Sequence, residues 1–284
     1  MKRFSKIFIT LVATVMLCMA TFSFGCTQKI TKLTINLQVY NYESTAQMKD
    51  HVISADLYND LAPNTVSAIT GYANDGFYDN AIFYKIVGES SAYTVGDLFV
   101  DADGDIIQKI KPQIIGEFAN NNVVGSDLTN KLGSIGLWRS WYESDDNIYR
   151  TSSEARNSGR ATMYLPTAGI AGYDGYFCVF ATFDPEETDN KGAVDALSLA
   201  FSSGNYKTFI VYYTGEYDAN KPNENYGLTF NCVPEADFED VDEDTVFKPE
   251  GAQLECYGKY TIQVPVNETG DFAAVISSVR VTKK

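Results

Sequence analysis

Leu33, Ile35, Leu37 and Val39 alternate with Thr, Asn and Gln, the two-residue period of a half-buried strand. Val52 to Leu57 predicts a second strand. Ala62-Pro63-Asn64-Thr65-Val66 then leads into Ser67-Ala68-Ile69-Thr70-Gly71-Tyr72, where a proline ahead of periodic apolar residues opens a helix that Gly76 ends. Ala81 to Val87 is another apolar run of strand length. Ile135 to Trp138, Ala161 to Leu165 and Phe177 to Ala181 are short apolar runs bounded by Gly, Asn and Asp, and they predict further strands. Val194 to Leu197 fits a short helix. Thr208 to Tyr213, Gly227 to Val233 and Tyr260 to Val266 predict strands of a C-terminal elaboration, and Phe272 to Val281 a closing strand. Many short strands with two helices predict a mostly β fold, a barrel with helical plugs. An all-β sandwich is the alternative, and the helix after Pro63 argues against it.

The start of the chain follows a different pattern. Lys2, Arg3 and Lys6 precede an apolar run from Ile7 to Ala20, shorter than the roughly 20 residues a spanning helix needs. Residues 1–25 are therefore expected to be a cleaved export signal. Ser23-Phe24-Gly25-Cys26-Thr27 resembles the lipobox of bacterial lipoproteins, with Phe24 departing from the small residue preferred there. That resemblance implies a lipid on Cys26, a tether with the first strand over 26–48, and an extracytoplasmic protein that meets the membrane only through its anchor. An ordinary secretory signal beside an incidental cysteine is the alternative.

Charge and composition narrow the chemistry. The formal charge of −15 becomes −18 without the leader, which carries three positive charges and no negative one. Such a chain repels phosphates, so nucleic acid is excluded as a partner. His51 is the single histidine, which leaves almost no room for a histidine dyad or a histidine-rich zinc site. Cys178 sits in an apolar run and reads as a small core residue; Cys232 and Cys256 have the option of a disulfide, which the sequence does not decide. Asp101-Ala102-Asp103-Gly104-Asp105 is similar to the start of a calcium loop, but its glycine is at the fourth position and Pro112 stands where a bidentate Glu would be, so it reads as a solvated hairpin turn. The acidic stretch Glu235 to Asp244 reads as a solvated loop.

Taken in order, Ala62-Pro63-Asn64-Thr65-Val66, Gly76-Phe77-Tyr78-Asp79, Phe83-Tyr84-Lys85-Ile86-Val87, Gly96-Asp97 and Gly116-Glu117-Phe118 resemble the cyclophilin family of peptidyl-prolyl isomerases. The likeness continues through Gly133 to Trp138, Asn157-Ser158-Gly159 with Ala161 to Leu165, Tyr173 to Phe180, and Ala274 to Val279. It implies one domain over 49–284: a closed eight-stranded barrel capped by two helices, a peptide groove on its outer face, and an insertion at about 206–270.

The chemistry this implies needs neither nucleophile nor cofactor. The X–Pro bond crosses a barrier of about 18–20 kcal/mol because resonance holds the amide planar. An apolar pocket grips the proline ring, and a cation beside the imide stabilises the twisted state. By resemblance, Lys85 matches the family's arginine; it keeps the charge and loses the planar fork. The family's phenylalanine five positions on falls at Ser90, and its glutamine at Tyr93 or Thr94, depending on where one extra loop residue is counted. Thr162 belongs to the matching groove strand, and Met163 and Tyr164 stand where that strand has two phenylalanines. Tyr173 replaces a pocket leucine, Phe177 a pocket histidine, and Trp138 and Phe180 complete the expected groove. No metal ligand set is implied.

Two functions follow: an isomerase that assists folding of exported proteins by acting on proline-containing peptides, or a cyclophilin-like module that holds a peptide or protein without catalysis. A small-molecule-binding lipoprotein is a more distant third.

Overall fold

The computed structural model describes residues 31–43, 47–88, 91–123, 128–139, 153–218, 220–238 and 259–283. Cys26, Ser90, Cys256 and residues 239–244 of the acidic stretch lie outside the described residues. The strands are β1 (Thr31–Tyr40), β2 (Met48–Leu57), β3 (Lys85–Ile86), β4 (Ala92–Val95), β5 (Leu98–Val100), β6 (Ile106–Gln108), β7 (Ser134–Leu137), β8 (Met163–Pro166), β9 (Cys178–Thr182), β10 (Tyr206–Thr214), β11 (Thr229–Pro234), β12 (Tyr260–Pro265) and β13 (Ala274–Lys283). The two long helices are α1 (Pro63–Asn74) and α2 (Thr188–Ser202).

Seven strands form one sheet in the order β13-β1-β2-β9-β7-β8-β4. The segment before β3 joins its two edges. The Phe83 amide donates to the Ala274 carbonyl of β13 at 3.0 Å, while Tyr84 and Thr94 of β4 exchange both backbone bonds at 3.0 and 2.8 Å. Residues 81–84 thus act as an eighth, irregular strand, as the expected closed barrel requires.

β1 behaves as its alternation predicts. Leu33, Ile35, Leu37 and Val39 are buried, and the residues between them are half-buried. β1 pairs antiparallel with β2 on one side and β13 on the other, so the strand grouped with the tether is a central barrel strand. Ile53 and Ala55 of β2, Val95 of β4, Met163 of β8, Phe180 of β9 and Ile276 of β13 complete the same interior core.

The helices plug the barrel. Pro63 opens α1, and Val66, Ile69 and Ala73 are its buried apolar face. Its N-cap, Ala62, offers no side-chain acceptor. Glu117 supplies one instead: Oε1 accepts from the Asn64 amide at 2.9 Å and Oε2 from the Thr65 amide at 2.8 Å. A carboxylate at this helix end satisfies two unpaired N–H groups and complements the dipole. α2 runs well beyond the predicted 194–197. The buried Asn190 fixes its first turn, with Oδ1 accepting from the Ser54 amide of β2 at 2.7 Å and Nδ2 donating to the Asp184 carbonyl at 3.0 Å.

The elaboration forms a second sheet, β11-β10-β12-β3, added to the outside of the barrel wall. Its inner face, with Phe209, Val211, Tyr213, Ile262 and Val264, packs on Ile82, Tyr84 and Leu98. Asp101 to Asp105 is the turn of the β5–β6 hairpin, where Asp101 Oδ1 accepts from the amides of Asp103 and Asp105 at 2.9 Å each. Among the described residues, no helix is long and apolar enough to cross a membrane, and no group of three or more His, Cys, Asp or Glu is arranged to hold a metal ion.

Candidate functional site

β4 presents opposite faces to two different surroundings. Tyr93 and Val95 point into the barrel core, opposite Leu165 and Met163 of β8. Ala92 and Thr94 point outward, and Thr94 pairs with Tyr164. On that outer face Tyr164, Tyr173 and Phe177 form a cluster with Ala92, and Trp138 packs against it.

The walls of the cluster are fixed by backbone and by polar bonds. The Tyr164 ring lies across β7 at Gly136, where an added Cβ would come 2.1 Å from the ring's Cζ. Only glycine leaves room for that ring. The Tyr164 hydroxyl donates to Asn130 Oδ1, and Asp174 Oδ1 accepts from both the backbone and side-chain amides of Asn130 at 2.7 and 2.9 Å. Burial pushes the Tyr164 hydroxyl well above its ordinary pKa, so it stays a neutral donor. Tyr173 and Phe177 stack at 4.3 Å between centroids, held by a backbone bond from the Phe177 amide to the Tyr173 carbonyl at 3.1 Å. Tyr164 meets both edge-on, at 5.8 and 5.6 Å.

Three of the expected groove residues belong to the interior, Tyr93 on the inward face of β4 and two more. Met163 and Phe180 are fully buried in the barrel core, because each is one residue from the outward positions of its strand. Thr162 is bonded through its side chain to Asp97, and its carbonyl accepts from the Trp138 amide at 2.8 Å.

Lys85 lies apart from the cluster. Its ammonium sits 5.1 Å from the Tyr93 centroid and 5.2 Å from that of Phe201 on α2, rings that stack on each other at 4.7 Å. Tyr93 belongs to the inward face of β4, so this cation occupies the end of the barrel under α2, whereas the four-ring cluster lies on the outer face. Partial burial lowers the Lys85 pKa. The cation that touches the cluster is Arg139, whose guanidinium lies 5.0 Å from the Phe177 centroid and 5.2 Å from that of Phe118, with Nε donating to the Tyr176 carbonyl at 2.6 Å. The sequence offered one signal for it, its place immediately after Trp138.

Beside the cluster, the outer face carries a buried polar chain under the second sheet. Tyr84 donates to Asp97 Oδ1 at 2.9 Å, and burial raises the Asp97 carboxyl to about 6. Gly96, which precedes it, has φ +112°, and an added Cβ would come within 2.9 Å of both Tyr78 and the Ala161 carbonyl, which explains the Gly-Asp pair. Tyr213 of β10 accepts from Gln108 at 2.8 Å, and Asn225 donates to Gln108 at 2.9 Å, joining the elaboration to the barrel.

Residues 44–152 match the family of the cyclophilin type peptidyl-prolyl cis-trans isomerase/CLD. Among solved structures, a cyclophilin type peptidyl-prolyl cis-trans isomerase of Cryptosporidium parvum, crystallised in the presence of the dipeptide Ala-Pro, is 12% identical with a TM-score of 0.34, covering 56% of this chain and 84% of that one. A second structure of the same protein gives the same identity and score over 57% and 84%. No curated protein matches the sequence. The matched residues run from just before β2 through α1 and β3 to just past Trp138 and Arg139, and over that stretch, less than half of the chain, the sequence is similar to the cyclophilin-type peptidyl-prolyl cis-trans isomerase family.

Proposed function

We propose that the protein is a slow peptidyl-prolyl cis-trans isomerase that acts on proline-containing segments of exported polypeptides, held outside the cytoplasmic membrane by a lipid on Cys26. The observation that carries this reading is the outer-face cluster of Tyr164, Tyr173 and Phe177, an apolar site built from the residues that match the family's pocket. Rings of this kind hold a prolyl ring by desolvation and contact. Uncatalysed X–Pro isomerisation takes tens to hundreds of seconds, so even modest catalysis matters to a chain folding after export.

The rate is expected to be low because Lys85 rests on Tyr93 and Phe201, away from the pocket. A cation accelerates the reaction only if it meets the imide in the twisted state. The same observation favours a second reading, a module that binds prolyl peptides and does not turn them over. A protease-free assay on a short prolyl peptide separates the two. Exchange above background supports the isomerase; binding that shifts resonances of Trp138 and Phe177 with no gain in exchange supports the module.

The extracytoplasmic placement rests on the leader and its lipobox-like end. Cys26→Ser is expected to release the protein from membranes into the medium, with intact mass as the readout. An unmodified N-terminus elsewhere overturns the anchor.

A further inference from the structure

Trp138 stands just past the end of β7, with its ring against all three walls of the cluster: 6.0 Å from Tyr164, 6.1 Å from Tyr173 and 5.5 Å from Phe177 between centroids. The walls are 0 to 5% exposed and Trp138 is half-buried, so the indole is the outermost of the four rings. A proline ring in contact with the same three walls needs the volume the indole fills. Two apolar bodies do not share one close-packed site.

The walls and the indole are held differently. Tyr164 is tied through Asn130 to Asp174, and Phe177 is tied by its backbone to Tyr173. The Trp138 backbone is fixed by its bond to the Thr162 carbonyl, but among the described residues its indole N–H has no hydrogen-bond partner. Ring contact alone holds this side chain, and rotation about its first torsion moves it without breaking a strand bond.

We infer that Trp138 is the resident occupant of the prolyl pocket and sets access to it: a prolyl peptide binds by displacing the indole. This rests on the peptide-binding reading above, and it assigns Trp138 the role of a competitor where the resemblance implies a contact. Selectivity follows from the same geometry, because only a peptide whose flanking residues also bind offsets the lost ring contacts.

The test uses the mature protein and an Ala-Pro-containing peptide. Trp138→Ala is expected to bind the peptide about tenfold more tightly than wild type. The chain's other tryptophan is Trp141. In Trp141→Phe, where Trp138 is the sole indole, adding peptide is expected to raise iodide quenching of its fluorescence. The quenching needs no change in the pocket, so it stands even if Trp138→Ala fails to fold. If wild type binds and Trp138→Ala binds more weakly while keeping its fold, Trp138 is a wall and this inference falls while the peptide reading survives. Peptide bound with Trp138 quenching unchanged overturns the displacement in the same way. If neither protein binds, both fall.

Discussion

The outer surface of the barrel is covered twice, by different means. Under the elaboration, Ile82, Tyr84 and Leu98 meet an apolar sheet face, and the polar groups trapped there answer one another through Tyr84, Asp97, Gln108 and Tyr213. Around β4 and β8, Tyr164, Tyr173 and Phe177 meet a loosely held indole, with Ile170, Tyr176 and Arg139 also packed against the cluster. A cover that completes buried hydrogen bonds is costly to lift, whereas a ring resting on rings is not. The first sector therefore reads as permanent structure and the second as a site.

Gly136→Ala breaks the second sector most severely. The added methyl group collides with the Tyr164 ring, and a loss of about 3 kcal/mol in denaturant unfolding is expected. Near-UV circular dichroism from the four rings should fall while the sheet signal remains. A neutral effect would mean that Tyr164 moves freely and that the walls are not fixed.

Asp97→Asn probes the first sector through pH. A folded carboxyl pKa of about 6, above the ordinary 3.8, means that the folded state holds this proton more tightly than the unfolded chain. The group's contribution to stability is therefore most favourable below about pH 4 and declines as pH rises through about 6. Asparagine removes that dependence and still accepts from Tyr84. The variant is expected to gain on wild type from near zero at pH 4 to about 2–3 kcal/mol at pH 8, measured by unfolding at each pH. A constant difference across that range overturns the assignment.

Lys85→Ala removes a side chain that forms part of neither cover, and it should give the smallest effect. Two partly exposed cation–ring contacts contribute about 1 kcal/mol or less in total, and any isomerase rate should change less than about tenfold. Abolished activity would show that Lys85 reaches the outer face after all, as its place in the family pattern implies.

The parts of this arrangement that could be read in the sequence are those where one face is buried and the other is not. β1 shows clean alternation because its two faces differ, and Pro63 marks α1 because proline has few other uses there. β4 did not stand out as a strand, since all four of its residues are buried and no period survives. The length of α2 was hidden by Asn190, a polar residue whose burial depends on a partner in β2 far away in the chain. Met163 and Tyr164 look equivalent in sequence as two large apolar neighbours, and only the strand register sends one to the barrel interior and the other to the buried cluster on the outer face. The direction of Lys85 was likewise unreadable, because it depends on Phe201 arriving with α2.

The pairing of the first strand with the last governs how the chain reaches this state. The Asn36 side chain donates to Ser278 across a sequence separation of 242, and β13 leaves the ribosome after the other described strands. Until then one edge of β1 and the apolar row from Leu33 to Val39 lack their final neighbour, however early β2 pairs. Closure is thus a late, long-range event, slow by topology and exposed to aggregation while it waits. A chain truncated before Ala274 would keep most of its strands and still be left with an open edge.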